Sequence, residues 1–434
     1  MDKEQEMINL IMLGRTNYGK STLCGRLCVE LGCISKEDFL RIKKHSEVLD
    51  KKGMEYAFVM DESLEERQRG ITIQLGFIGL EVKGKRINLM DPPGHIEFIN
   101  NLISGVAGAD AAILIIDAQE FDRIGLDEQI EEHLRISNVF GIKEVIVLIN
   151  KMDLFDYSEK KYNELRIKLI NVLNGAGYKN AKDFNFVPLS AYYGDNIMEK
   201  SPKMPWYGGD CFIKLIEKFK EPERSIKGPL RIPLLRVYSI PETGLIISGR
   251  IENGEIKIGD RITISPSFTD IKMTAEVNSI EWQHRKVEHA KHGMDVGISF
   301  KNPSQTFTKR QIKKGYIVTN PENEIFPAKE IKAKIIVLNH PTGIREGYMP
   351  LLYCHQARIP CKIKQIISKV DLKTNKEIAI ENKIINKSEE AIVIIEPLKP
   401  FVSEVEKNVS KLGRFILRDA NKTVAAGEIL EIIN

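Results

Sequence analysis

Residues 14–22 read Gly14-Arg15-Thr16-Asn17-Tyr18-Gly19-Lys20-Ser21-Thr22, and this stretch decides the fold. Its spacing, G-x-x-x-x-G-K-[ST], is that of a phosphate-binding loop. Ile8 to Leu13 before it is short and mostly apolar, as a buried strand is, and Ser21 to Leu31 after it carries apolar residues at helical spacing. Strand, glycine loop and helix N-terminus therefore follow in the order that phosphate cradling requires. The glycines permit a tight wrap, and the backbone amides and helix dipole face the anion. Gly14, Asn17, Gly19, Lys20, Ser21 and Thr22 are expected to bind phosphate. Lys20 would reach the β- and γ-phosphates, and Ser21 would ligate Mg²⁺.

Three further strand ends extend the pattern. Lys85 to Met90 reads as a strand followed by Asp91-Pro92-Pro93-Gly94-His95. Asp91 there can hold the Mg²⁺ shell, and the Gly94 amide can bond the γ-phosphate. Val145 to Ile149 is a buried strand ending in Asn150-Lys151-Met152-Asp153. A carboxylate at Asp153 can accept both the ring N–H and the exocyclic amine of guanine, neither of which adenine offers, so the motif reads base identity. Phe186 to Leu189 ends in Ser190-Ala191, whose loop can support the guanine oxygen. Each tetrapeptide alone is a weak signal. All four in this order, at the carboxyl ends of strands where open α/β sheets bind ligands, predict a GTP/GDP site with Mg²⁺.

A chain of 434 residues is too long for one ordinary core. Its 42% hydrophobic and 29% charged content is that of a soluble globular protein. The net charge of +4 neither favours nor excludes nucleic acid, because local patches outweigh the sum. None of the cysteines, Cys24, Cys28, Cys33, Cys211, Cys354 and Cys361, forms a C-x-x-C pair. Cys24 and Cys28, one helical turn apart, read as buried thiols, and the set predicts a reducing compartment. Met1 to Glu6 is charged and runs directly into a strand, unlike a signal peptide, and no apolar run approaches membrane-helix length. A cytoplasmic monomer is expected, with no membrane segment.

The first part alternates strands (Ile8–Leu13, Ile73–Val82, Arg86–Met90, Ala111–Asp117, Val145–Asn150, Phe186–Leu189) with helices (Ser21–Leu31, His95–Ala107, Leu126–Phe140, Ser158–Ala176, Phe212–Lys218). This predicts an α/β domain with a parallel-type sheet over residues 1–221. Short strands punctuated by turn residues follow, without helices. They predict one β-barrel over 229–320 and a second over 327–434.

One GTPase domain followed by two barrels resembles the translational elongation GTPases, most nearly the archaeal and eukaryotic elongation factor 1-alpha branch. The likeness is carried by Tyr56–Asp61, Glu65–Ile73, Asp91–His95, Asn150–Asp153 and Gly194-Asp195-Asn196. In the last domain Leu338-Asn339-His340-Pro341, Tyr348–Lys362 and Leu412-Gly413-Arg414-Phe415 carry it. The resemblance implies that Thr72 reaches Mg²⁺ in the GTP state and that His95 positions the attacking water once the ribosome is bound. Ile71 would be one wing of an apolar gate restraining His95. It also implies aminoacyl-tRNA and the ribosome as partners, with a guanine-nucleotide exchange factor as a further one.

Several positions depart from the family. Where it usually reads Gly-His-Val-Asp, this chain has Gly14, Arg15, Thr16 and Asn17. Arg15 is expected to set a positive charge near the nucleotide, Thr16 to loosen the gate, and Asn17 to remove an acidic group near the β–γ bridge. On the surface expected to meet aminoacyl-tRNA, Glu281 and Lys314 are retained, but Asn100 replaces a basic residue and Asp295 an asparagine. The leading expectation is a GTP-dependent carrier of aminoacyl-tRNA. A second is a GTPase carrying a release- or rescue-type protein, against which the absence of a long N-terminal extension counts. A third, an accessory GTPase of sulfate adenylylation, is suggested by Asp153–Ser158 and Met204-Pro205-Trp206-Tyr207. It is disfavoured by Leu412–Phe415.

Overall fold

Seven consecutive buried residues, Met7–Leu13, form the central strand β1 of the N-terminal part. Apolar residues on both faces require cover on both faces, and helices supply it. The computed structural model describes residues 7–51, 53–60, 75–94, 99–125, 127–221, 228–240, 244–266, 272–282, 285–301, 308–370, 376–379 and 382–434. The chain divides into two units, Met1–Pro222 and Glu223–Asn434.

In the first unit β2 (Gly76–Val82), β3 (Lys85–Asp91), β4 (Ala111–Asp117), β5 (Val145–Asn150) and β6 (Asn185–Pro188) join β1 in the order β2-β3-β1-β4-β5-β6. All pairings are parallel except β2 with β3. The expected parallel-type sheet is therefore mixed, with one antiparallel edge. The reason is local: Lys83 and Gly84 have φ of 48° and 78°, the two positive values that a two-residue hairpin needs. β1 lies between β3 and β4, so the chain changes direction across the sheet at its carboxyl end. Such a switch point is where a ligand cleft opens.

Helix α1 (Lys20–Glu30) follows the glycine loop directly. Two helices escaped the periodicity reading. Lys36–Val48 is capped by Ser35, whose Oγ accepts from the Asp38 amide at 3.0 Å. Ala118–Ile124 is capped by Asp117, whose Oδ1 accepts from Gln119 and Glu120 amides at 3.0 and 3.1 Å. Ser35-x-x-Asp38 and Asp117-x-x-Glu120 are the cap signals that mark them. The helix expected at Leu126–Phe140 is Glu128–Val139, capped by Asp127. No described helix is long and apolar enough to cross a membrane.

The second unit holds two closed rings. The first runs Arg261–Ser265, Ile317–Thr319, Ile232–Ile240, Gly244–Arg250, Asp295–Lys301, Met273–Trp282 and back to its start. The second runs Leu351–Cys354, Arg414–Asp419, Lys422–Ile433, Glu330–Val337, Glu390–Pro397, Ala357–Val370 and back. Glu330–Val337 alternates between partly and fully buried residues along its whole length. That two-residue period directs Ile331, Ala333, Ile335 and Val337 into the barrel core. Closure pairs both sides of each of the six strands of either ring. A buried ion pair, Arg231 Nε to Glu404 Oε1 at 2.6 Å, and a buried hydrogen bond, His355 Nε2 with Glu252 Oε1 at 2.9 Å, join the rings.

Candidate functional site

The loop after β1 is shaped by backbone that only glycine tolerates at two points. Gly14 has φ +148°, and a Cβ there would lie 2.6 Å from the Ile115 carbonyl oxygen. Gly19 caps α1 at φ +98°, and a Cβ there would lie 2.3 Å from Asn150 Nδ2. The amides at the start of α1 are therefore presented with no side chain in front of them. Asn17 also takes a left-handed conformation, φ 66°. Its short amide side chain tolerates this better than an apolar one would.

Lys20 is buried, and its ammonium donates to the Gly14 and Arg15 carbonyl oxygens at 3.1 Å each. Burial pulls its pKa down, and Asp91 opposes that shift. Ser21 Oγ donates to Asp91 Oδ2 at 2.6 Å, and Asp91 is fully buried at the end of β3. Two hard oxygen donors thus meet beside a buried lysine, where a small divalent cation and phosphate oxygens can be held. Gly94 closes against the same loop: a Cβ on it would fall 2.5 Å from both Lys20 Nζ and the Thr16 amide nitrogen. Its carbonyl accepts from Gln129 Nε2 at 2.6 Å.

The Asn150–Asp153 end of the cleft is tied to this loop by Asn150. Its Nδ2 donates to the Tyr18 carbonyl and its Oδ1 accepts from the Ala191 amide, both at 2.8 Å. One buried side chain therefore sets the spacing between the phosphate loop and the Ser190–Ala191 loop. Lys151, at φ 64°, pairs with Asp117 Oδ2 at 2.6 Å. Arg26 of α1, also buried, donates from Nε to the Ala191 carbonyl at 2.8 Å and from a terminal nitrogen to the Tyr192 carbonyl.

Around these contacts lies a cleft of about 420 Å³. It is lined by Thr16, Asn17, Gly19, Lys20, Ser21, Thr22, Gly94, Asn150, Lys151, Asp153, Ser190 and Ala191. The structure thus gathers residues from all four strand-end motifs around one cavity of nucleotide dimensions. Gly14 and Asp91 support it from behind. Ile71, Thr72 and His95 lie outside the described residues. Gly53, Met54, Ala57, Leu154, Tyr192 and Tyr193 line the cleft too, and sequence reasoning missed them. Ala57 and Leu154 fall in quoted stretches that assigned them no role, and two adjacent tyrosines after Ser190-Ala191 are a visible signal for an aromatic wall.

Arg15, expected to set a positive charge near the nucleotide, carries that charge in a clasp of two carboxylates. Its guanidinium pairs with Glu120 Oε1 at 2.7 Å and Asp127 Oδ2 at 3.1 Å, and Arg15 is not among the residues lining the cleft. Two carboxylates take up the charge because the helix Ala118–Ile124 and the cap of Glu128–Val139 both end beside the loop. The side chains are about a quarter to a third exposed, so the clasp is worth about 1 kcal/mol or less. Arg15→Ala is expected to speed nucleotide release about threefold at low salt, with the difference from the parent vanishing near ~1 M salt. Stopped-flow displacement of a fluorescent nucleotide checks this. A difference that persists at high salt would rule out an electrostatic clasp.

In the second unit Glu281 pairs with Gly297, Gly297 with Ser248, and Ser248 with Arg236. Directly paired residues share a face, and Asp295 lies two residues from Gly297, so Arg236, Glu281 and Asp295 project from one outer face of the first ring. Lys314 is exposed on the turn before Ile317–Thr319 and close enough to Arg236 for the two charges to repel. The face is mixed in charge. Asn100 sits partly buried on the helix Ile99–Gly108 of the first unit.

Comparison with known proteins gives a consistent set. A family model described as the elongation factor Tu GTP binding domain matches residues 5–236, and one described as GTP-eEF1A C-terminal domain-like matches residues 330–430. The chain is 38% identical to elongation factor 1-alpha of Pyrococcus furiosus over 435 residues, covering 100% of this chain and 99% of the relative. It is 39% identical to elongation factor 1-alpha of Pyrococcus horikoshii at the same coverage. Among solved structures it resembles the S. cerevisiae Ski7 GTPase-like domain, bound to GDP and inorganic phosphate. The TM-score is 0.81, with 21% identity over 98% of this chain and 97% of that one. At that identity the likeness speaks for the fold.

Proposed function

Because the chain belongs to the family of translational GTPases built on the elongation factor Tu GTP-binding domain, we propose that it delivers aminoacyl-tRNA to the ribosome in a GTP-dependent cycle. The observation that carries the nucleotide part is the single cleft into which the phosphate loop, the loop after β3, Asn150–Asp153 and Ser190–Ala191 all converge. Guanine would lie at the Asp153 end, with its ring N–H and amine donating to that carboxylate. The phosphates would lie at the Lys20 end, taking the Lys20 ammonium and the amides of Gly19 to Thr22. Phosphate oxygens there would take over the Lys20 contacts now made by the Gly14 and Arg15 carbonyls.

Ser21 and Asp91 suit a hard cation that takes few protein ligands, and with Thr72 they would hold Mg²⁺. When bound, the ion offsets charge on the β- and γ-oxygens. His95 would orient the attacking water. Hydrolysis in isolation is expected to be slow, because this residue needs the ribosome to bring it into position. His95→Ala should leave GTP affinity near that of the parent and lower ribosome-stimulated turnover at least about a hundredfold. Single-turnover phosphate release with and without ribosomes measures this, and equal stimulated rates would remove His95 from the reaction.

Glu281, Asp295 and Lys314 are the proposed contacts to the acceptor end of aminoacyl-tRNA. Lys314 would meet backbone phosphate, and Asp295 would pair with the α-amino group of the esterified residue. Linkage supplies the test. If the triphosphate and the charged acceptor end favour the same state, each tightens the other. The GTP form should then protect the aminoacyl ester from hydrolysis, and the GDP form should not. N-acetylation removes the positive charge facing Asp295 and should weaken protection about tenfold or more. Ester half-lives with charged, N-acetylated and uncharged tRNA under GTP and GDP analogues decide the matter. Absence of GTP-dependent protection with any elongator tRNA would favour a release- or rescue-type protein as the cargo. A guanine-nucleotide exchange factor is a further proposed partner.

A further inference from the structure

The helix that starts at the phosphate loop ends in a pair of thiols. After α1 the Gly32 amide donates to the Val29 carbonyl at 3.2 Å, and the Cys33 amide donates to the Cys28 carbonyl at 2.8 Å. Gly32 has φ +73°. These two bonds and the left-handed glycine make a Schellman ending, which brings together the side chain three residues inside the cap and the one two residues beyond it. The two are usually apolar. Here they are Cys28 and Cys33. Cys28 is buried at 8% exposure, and Cys33 is exposed, its Sγ donating to the Gly79 carbonyl of β2 at 3.8 Å.

The two thiols are chemically unequal. The hydrogen bond within the pair lowers the pKa of the exposed Cys33 thiol, and together with burial it raises that of Cys28. Cys33 is thus the accessible thiol of the pair, with the buried Cys28 thiol next to it at the helix end, the arrangement of an attacking and a resolving cysteine. The other four cysteines, Cys24, Cys211, Cys354 and Cys361, are all buried. Burial pushes Cys24 up as well, and Cys354 and Cys361 up to about 12. None of these can compete for a solvent-borne oxidant.

We propose that Cys28 and Cys33 are a reversible redox site, oxidised to an intrachain disulfide by exchange with a small-molecule disulfide of the glutathione type. The Cys33 thiolate attacks one sulfur of the oxidant, forming a mixed disulfide and expelling one glutathione thiolate, which takes up a proton. Cys28 gives its proton to solvent and attacks the Cys33 sulfur, breaking the mixed disulfide and releasing the second glutathione. Two protein thiols are oxidised, and one glutathione disulfide is reduced to two thiols. An excess of glutathione reverses both steps. The site depends on no assignment made for the nucleotide cleft.

The test uses the full chain, incubated near neutral pH with graded ratios of oxidised to reduced glutathione. Free thiols are alkylated before reduction with one reagent and after it with another of different mass, and peptides are read by mass spectrometry. The Cys28–Cys33 linkage is expected to form at least about tenfold faster than any other cysteine is modified, set by the thiolate fraction and access of Cys33. Cys28→Ser should arrest the reaction at glutathionylated Cys33, and Cys33→Ser should leave Cys28 reduced. A parent chain that accumulates glutathionylated Cys33 without linkage would overturn the proposal. So would unmodified Cys33 under conditions that oxidise a free model thiol, or a Cys33→Ser variant still modified at Cys28.

Discussion

Asp153→Asn is expected to weaken GTP and GDP binding at least about a hundredfold and to admit xanthosine nucleotides in their place. Asp153 lines the cleft, and in the proposed guanine pose its carboxylate would accept two hydrogen bonds from the base, each charge-assisted and worth about 1.5–3 kcal/mol. An amide keeps one acceptor and turns a donor toward the guanine amine, so one bond is lost and two donors face each other. Xanthine carries an oxygen where guanine carries that amine, and the same amide donor suits it. The prediction draws on the tertiary structure as well as on the motif. Lys151 beside it is held to Asp117 at 2.6 Å, and Asn150 before it is tied at both ends. The backbone that presents Asp153 therefore has little freedom to adapt to the new side chain. Equilibrium titration with fluorescent guanosine and xanthosine diphosphates gives the answer, and unchanged guanosine affinity would refute the assignment of Asp153.

Asn150→Asp should have an effect of similar size for a different reason. The side chain is 2% exposed, and its Nδ2 lies 2.8 Å from the Tyr18 carbonyl oxygen. The isosteric carboxylate places an acceptor against an acceptor and buries a charge without a partner. Both costs fall on the one contact that spaces the phosphate loop from the Ser190–Ala191 loop. A loss of about 3 kcal/mol in the stability of the first unit is expected, with nucleotide affinity down about a hundredfold. The new carboxyl should have its pKa raised by burial. A carboxyl with a raised folded-state pKa binds protons more readily folded than unfolded, so the variant gains stability relative to the parent as pH falls. Its protonated O–H also restores the donor to Tyr18. Thermal melts of parent and variant across acidic pH should therefore converge toward low pH and diverge as pH rises. Parallel melting curves would show that the amide donor has no such role.

The two cases divide the information differently. Asp153 could be read from a tetrapeptide as a cleft residue, because a guanine reader needs a carboxylate at a strand end, and the structure places it on the cleft. Asn150 was legible as a motif member, but its two bonds reach Tyr18 and Ala191, which are 132 and 41 residues away. No local pattern records a partner at that distance. Arg15 illustrates the cost of reading charge from the chain alone. It stands inside the phosphate loop in sequence, yet it pairs with Asp127 at the cap of an expected helix and with Glu120 of a helix that periodicity did not locate. Gln129, Arg26 and Tyr192 contribute to the site in the same unannounced way.

What the sequence by itself determined is every feature whose physical cause is local. Glycine at positive φ, buried strands ending in polar loops, and the two-residue period of the barrel strands are written in consecutive residues, because sterics and periodicity act over a few bonds. The tertiary structure decided the clasp on Arg15, the Asn150 spacer and the aromatic side of the cleft. Each of these depends on which side chains meet across space or around a helix end. That outcome is set by how the whole unit packs its apolar faces, and no short stretch of the chain contains it.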